Sequence, residues 1–317
     1  MRKLRASVAC SLILLVATAV NSYGWNGLGH MAVAYAAYQQ LTPRARNRVD
    51  ALLRLNPQYQ SWLAEIPAGT SQTDARMMAF MIAATWADQI KSIREYHNDG
   101  SAGGNRPPDD ATAGQNIGYQ DSARHKYWHF IDVPFSQDGT PLVEIPAPNA
   151  QTQIIKFRET LSSNAADDLK SYDLVWLLHL VGDVHQPLHC TTRCSKDLPN
   201  GDQGGNLVKL TPPPPNELHA FWDDLLGTGD GPIAAIAAGK RLPAPNRALV
   251  QNMDVAAWVK ESFEYARTRV YVNPPIGPGT GPFTITLQYR AAAFALAQQR
   301  VSLAGARLAR ILNNELK

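Results

Sequence analysis

The sequence is short of cysteine, of net charge and of long apolar runs. Lys and Arg number 30 against 27 Asp and Glu in 317 residues. Arg2, Lys3 and Arg5 precede an apolar run from Val8 to Val20, and Ser22 and Gly24 supply a small-x-small pattern. That is the layout of a secretory signal peptide over 1–24, with cleavage expected between Gly24 and Trp25 and a mature chain of 25–317. Without those three cations the balance is 27 against 27. A neutral chain is a poor candidate for holding nucleic acid on a general basic surface, so positive charge at a phosphate has to be local. The apolar run is shorter than the roughly 20 residues a spanning helix needs, and no later segment qualifies, so no membrane anchor is expected. Of three cysteines, Cys10 leaves with the signal. Cys190 and Cys194 remain, and in an oxidising compartment a disulfide between them is the first expectation, with free thiols or zinc ligation as alternatives.

What the chain does have is the stretch Trp176 to Cys190, W-L-L-H-L-V-G-D-V-H-Q-P-L-H-C. Leu174, Val175, Leu177, Leu178 and Val181 recur at helical spacing. His179 and Asp183, four apart, lie one turn above each other on one face. Pro187 bends or ends the helix, so His189 returns toward that face from non-helical backbone. Polar groups on an otherwise apolar wall must be paired, and imidazole beside carboxylate is a ligand set that zinc takes.

Around this stretch the pattern predicts helices over His30–Leu41, from Pro43 to about Leu55, and over 74–95, the last carrying Trp86, Asp88 and Lys91. Residues 98–122, rich in Gly, Asn, Asp and Pro, read as a long surface loop rimming a site. H-K-Y-W-H-F-I-D-V-P follows, strand-like or irregular, ended by Pro134. His97 and His125 read as surface residues, His129 as buried and in need of a partner, and His185 as orienting its neighbours by hydrogen bonds. Further helices are expected at 149–163, from about Asp167, at Asn216–Asp224 with Asn216 as cap, near 254–270 and over 284–313. The Gly-rich turn after Cys194 leads into a short strand-like run. His219 and Asp223 are again four apart on one face. With few credible strands and no internal repeat, the fold class is mainly α, in a single domain.

The candidate ligands are then His30, Asp88, His129, His179, Asp183, His189, His219 and Asp223. In order along the chain stand Trp25 with His30, T-W-A-D, W-H-F-I-D, H-L-V-G-D-V-H-Q-P-L-H, G-G-N at Gly204–Asn206 and H-A-F-W-D. The set resembles the secreted, zinc-dependent single-strand nucleases of fungi and plants, the S-one/P-one type, over Trp25 to Asp223. The resemblance implies three zinc ions. Asp88, His129, His179 and Asp183 would hold one, and His189, His219 and Asp223 a second. The α-amino nitrogen and carbonyl oxygen of Trp25, with His30 and Asp183, would hold a third. It implies hydrolysis of single-stranded RNA and DNA by a metal-held hydroxide to 5′-phosphorylated products, with 3′-nucleotidase activity. Lys91 would steady transition-state charge beside Asp88 and Asp183, while Phe130, Asp132 and Asn206 would recognise the base. No obligate protein partner is evident. The nearest rival is a zinc phospholipase C, which shares the helical fold and the trinuclear arrangement but typically has Glu at the position of Asp223. A zinc-binding protein without catalysis is the other; it leaves the Trp25 start and the G-G-N turn unexplained.

Overall fold

A computed structural model describes residues 24–211 and 215–316, so most of the expected signal segment lies outside the described residues. The helices are α1 Gly27–Tyr38, α2 Pro43–Leu53, α3 Tyr59–Ala64, α4 Gln72–Ala83, α5 Trp86–Gln89 and α6 Ala150–Ser162. Then come α7 Asp167–Asp183, α8 Leu218–Asp223, α9 Gly231–Gly239, α10 Arg247–Gln251, α11 Val255–Tyr265 and α12 Leu287–Glu315. Two three-residue strands, β1 Pro134–Ser136 and β2 Thr192–Cys194, pair in parallel. The fold is mainly α and single-domain, as expected from the sequence.

Helix α7 is the axis of the molecule. Every residue from Ser171 to Asp183 is buried, most of them apolar, with Asp173, His179 and Asp183 as buried polar groups among them. It packs against α1, α2, α5, α6 and α12. Trp176 on α7 meets Trp86 and Trp128 edge-on, with ring centroids 5.8 and 5.0 Å apart. These rings form the apolar wall behind the polar face of α7. Helix α12, with 29 residues, is about 44 Å long. It crosses α1 so closely at Gly305 that a Cβ there would lie 2.6 Å from Ala36 Cβ and 2.9 Å from the Val33 carbonyl. Only glycine permits that approach, which fixes α1 and the residues at its start.

A second, smaller core gathers Leu188, Val208, Leu218, Phe221, Trp222, Tyr271 and Tyr289. It carries α8, and the seam between the two cores holds the candidate ligands. Strands β1 and β2 stitch that seam, because they follow directly on the segments of His129 and His189.

Several expectations need correction. The helix expected over 74–95 breaks after Ala83, where Thr85 turns its hydroxyl onto the Ile82 carbonyl at 2.8 Å; such side-chain bonds compete with helix propagation. Helix α8 starts after Glu217, with no side-chain cap, so Asn216 is not its cap. The run after the Gly-rich turn forms only isolated bridges, Lys209 with Glu217 and Leu210 with Phe283. His125 is buried, not on the surface. Cys190 and Cys194 are both free thiols. Cys190 Sγ donates to the Val184 carbonyl at 3.4 Å, while Cys194 is fixed in β2 opposite Ser136. Three short helices, α3, α9 and α10, escaped the sequence reading because none has a sustained amphipathic period.

Asp173, one turn before Trp176, is fully buried. Asn116 Nδ2 donates to its Oδ2 at 2.8 Å, tying the rim loop to α7. Burial pushes this carboxyl up to about 7, against the hydrogen bonds from Asn116 and Thr160 and the nearby Lys156. A carboxyl whose folded pKa is raised above its unfolded value stabilises the fold most at low pH, and that contribution is lost as pH rises through about 7. Asp173→Asn is therefore expected to flatten the pH dependence of unfolding. Between pH 5 and 8 the wild type should lose about 2–3 kcal/mol from this group, read as urea midpoints, and the variant should not.

Candidate metal centre

The site is built on the polar face of α7. His179 Nδ1 donates to the Ala84 carbonyl at 2.8 Å, an acceptor at the point where α4 ends. Its Nε2 is thereby aimed at Asp183 Oδ2, 3.3 Å away, and Asp88 Oδ1, 3.7 Å away. His129 ends a short 3-10 turn, Lys126–His129, and brings Nδ1 to 3.2 Å from Asp183 Oδ2. From α1, His30 Nε2 lies 3.3 Å from Asp183 Oδ1, and its ring stacks on His179 at 3.7 Å. Gly182 makes room for that ring: a Cβ there would sit 2.9 Å from His30 Nδ1.

The second cluster uses the same device. His189 Nδ1 donates to the His129 carbonyl at 2.7 Å, and His219 Nδ1 donates to the Gly204 carbonyl at 2.7 Å. With the proton fixed on Nδ1, each neutral ring presents a lone pair at Nε2. Those two Nε2 atoms face each other at 3.0 Å, and Asp223 Oδ2 stands 3.5 Å from that of His219. Gln186 Nε2 donates to Asp223 Oδ1 at 2.7 Å and orients the carboxylate. Gln186 was missed in the sequence, although it sits inside the H-Q-P-L-H motif.

The electrostatics prepare these groups to bind a cation. Burial alone would raise Asp183, but the imidazoles of His179 and His189, with the His129 and His179 nitrogens 3.2 and 3.3 Å from its Oδ2, hold it well below the usual carboxylate range. Asp88 is brought down to about 2: Lys91, His179 and His129 outweigh its burial. Burial and the Lys91 charge lower His129 to about 3, and burial followed by His179 lowers His30, so both rings stay neutral and able to ligate. Burial raises Asp223 well above the ordinary range, the usual fate of a buried carboxylate with no counter-charge.

The residues fit a metal. His30 Nδ1 and Nε2, His129 Nε2 and both Asp183 carboxylate oxygens are buried without a hydrogen-bond partner. An unsatisfied buried polar atom costs about 1–3 kcal/mol; bound cations would satisfy the two Asp183 oxygens and the single lone pair of the neutral His30 ring. Among the described residues, three groups have ligand atoms within 4.8 Å of one another: His30–Asp88–His179, His129–His179–Asp183 and His189–His219–Asp223. The donors are all imidazole and carboxylate, which suits a first-row divalent ion such as zinc.

The remaining candidates differ in burial and partners. Lys91, largely buried, reaches Asp88 Oδ1 at 2.7 Å. Phe130 and Asp132 are half-buried. Burial, then the neighbouring carboxylate of Asp202, raises Asp132 to about 7. Asn206 lies on the Gly-rich turn and donates to the Gln203 carbonyl at 2.7 Å. Trp25 is fully buried, and its indole donates to the Gly182 carbonyl at 3.1 Å.

The chain is similar in sequence to known proteins. The family model for S1/P1 nuclease matches residues 25–317. Nuclease S1 of Aspergillus oryzae (strain ATCC 42149 / RIB 40) is 26% identical over 221 residues, 66% of this chain and 56% of that protein. The chain thus spans little more than half the length of that relative.

Asp183 faces His30 with one oxygen and His129 and His179 with the other. Asp183→Asn is accordingly expected to lower the zinc taken up per chain by more than one ion, whereas His30→Ala should lower it by no more than one. Elemental mass spectrometry on purified protein checks this, and wild-type zinc content in the Asn variant would refute a shared role for Asp183.

Proposed function

The chain belongs to the S1/P1 nuclease family, and on that premise we propose that it is a zinc-dependent phosphodiesterase. In this reading it cleaves single-stranded RNA and DNA to 5′-phosphorylated products and removes 3′-phosphate from nucleotides. The observation that carries the reading is the pair of lone-pair nitrogens of His189 and His219 facing each other at 3.0 Å, in a seam that also gathers three aspartates and three more imidazoles.

The proposed ligand sets are Asp88, His129, His179 and Asp183 for one zinc, and His189, His219 and Asp223 for a second. A third would take the α-amino nitrogen and carbonyl oxygen of Trp25 with His30 and Asp183. The backbone before Trp25 supports that last set, because a Cβ on Gly24 would lie 1.7 Å from Asp183 Oδ1 and 3.0 Å from His30 Nε2. Cleavage between Gly24 and Trp25, as for a secreted or periplasmic protein, would put a free amine beside that carboxylate. In keeping with this, no helix among the described residues is long and apolar enough to cross a membrane.

Zinc bound there supplies Lewis acidity, lowers the pKa of water toward about 7 and offsets phosphate charge. The chain's own groups do the rest. Asp88 and Asp183, both held ionised, fix the imidazoles around them. Lys91, pinned to Asp88, presents its ammonium to the non-bridging phosphate oxygens, where charge grows in the transition state. Phe130 offers a face on which an unpaired base stacks, which favours single strands and tolerates any base. Asp132, whose carboxyl is raised to about 7, can donate or accept at the base edge, and Asn206 on the Gly-rich turn would add a further polar contact.

The test compares a single-stranded oligonucleotide, its duplex and phosphatidylcholine as substrates for the zinc-loaded protein. Cleavage of the single strand ahead of the others is expected, and turnover of phosphatidylcholine alone would replace this reading with the phospholipase. Phe130→Ala should lower kcat/KM on the single strand about 5- to 150-fold, matching about 1–3 kcal/mol of stacking, while zinc content stays at the wild-type value. Unchanged kinetics would return Phe130 to a packing role.

A further inference from the structure

Gln186 sits between the two clusters and touches both. Its main-chain N–H donates to the Asp183 carbonyl at 2.9 Å, and its own carbonyl accepts from His189 N at 3.0 Å. The side chain is fully buried and makes two further bonds. Oε1 accepts from Leu188 N at 2.6 Å, and Nε2 donates to Asp223 Oδ1 at 2.7 Å. The first of these fixes the second. A backbone N–H can only donate, so the end of the side chain facing Leu188 is the oxygen and the end facing Asp223 is the NH2.

The residue type is unusual for its place. Gln186 has φ −83° and ψ 119°, the extended backbone that a residue before proline takes, and it caps the short 3-10 turn Pro187–Cys190. Caps of helical turns are ordinarily Ser, Thr, Asp or Asn, whose short side chains reach the amides of the first turn. Glutamine carries one more methylene than asparagine, and here that length lets a single amide cap the turn and still reach α8. Backbone carbonyls orient the rings of His179, His189 and His219. For Asp223 a side chain does so. Its Oδ1 lies against the Gln186 amide, and its Oδ2 stands 3.5 Å from His219 Nε2.

We propose that Gln186 is a positioning residue that makes the His189–His219–Asp223 centre selective for zinc, by occupying Asp223 Oδ1 so that a single carboxylate oxygen faces the metal. The assignment rests on the zinc reading of the site and deepens it. Two imidazoles and one carboxylate oxygen, with a position left open, suit four-coordinate zinc. A carboxylate free to turn can give both oxygens, which suits ions that take six or more oxygen-rich ligands, such as Mn2+ and Ca2+. Removing a group that holds a metal ligand from behind typically changes metal affinity about 10–100-fold.

The experiment compares the purified protein with its Gln186→Asn and Gln186→Met variants. Gln186→Asn keeps a capping amide but is too short to reach Asp223, whereas Gln186→Met keeps the length and removes the amide. Zinc affinity is read by competition with a chromophoric chelator and Mn2+ affinity by electron paramagnetic resonance. Urea midpoints of the metal-free proteins report the fold. In both variants one zinc per chain is expected to bind about 10–100-fold more weakly, with the remaining zinc unchanged. Mn2+ affinity at that centre should hold or rise, so that the zinc-to-manganese ratio falls about 10-fold or more. A Gln186→Asn protein with wild-type zinc affinity and selectivity would overturn the proposal and leave Gln186 a cap alone. So would an equal fall for both metals, which is what loosened packing produces. Should Gln186→Met lose its urea transition, Gln186→Asn decides by the same ratio. A wild type that takes up no zinc would instead remove the zinc reading on which the assignment stands.

Discussion

The ionised carboxylate of Asp183, fully buried at the end of an apolar helix, is the constraint that orders the rest of the structure. An isolated buried charge of this kind costs several kcal/mol even after relaxation. It is tolerated because imidazoles converge on it from separate elements: His30 from α1, His129 from the 3-10 turn and His179 from α7 itself, with His189 close behind. Each of those elements carries a local device that serves the convergence. The break between α4 and α5 puts the Ala84 carbonyl where it orients His179. Gly182 lets His30 approach, and the parallel pairing of β1 with β2 locks His129 beside His189.

The far side of the same helix end is braced as firmly. His185 Nδ1 donates to the Val181 carbonyl at 2.7 Å, and its Nε2 accepts from Arg307 at 2.9 Å. Arg300 Nε donates to the His185 carbonyl at 3.1 Å, and Glu261 ties both arginines, at 3.0 and 2.7 Å. This network links α11 and α12 to the turn after Asp183. A carboxylate whose two oxygens serve two sets of neighbours has to be held to within fractions of an ångström, and bracing from behind provides that stiffness.

Much of this was readable in the chain, for reasons that differ by element. The His179–Asp183 and His219–Asp223 pairs were legible because a four-residue spacing on a helix is geometry, whatever surrounds it. Helix α7 was legible because an unbroken apolar run has few other uses. His125 was misjudged: Arg124 and Lys126 on either side suggest a surface, and nothing local reveals Asp99 and Asp121 returning from the loop to enclose it. The break before α5 was missed because Thr85 reads as helical until its hydroxyl bonds to Ile82. Gln186 and the Gly204 carbonyl act through tertiary contacts that no local pattern announces. The expected Cys190–Cys194 bridge followed from the compartment alone, and the fold uses Cys190 as a buried thiol at the end of α7.

The most direct measurement is anomalous diffraction at the zinc absorption edge on crystals of the protein purified without chelator. The expected result is a peak between the imidazoles of His189 and His219, about 2.0–2.1 Å from each Nε2, with the two nitrogens spread beyond their present 3.0 Å, and further peaks against the oxygens of Asp183. Zinc-replete crystals with no anomalous density at His189, His219 or Asp183, and with those nitrogens still facing each other, would contradict the claim that the buried lone pairs exist to hold metal.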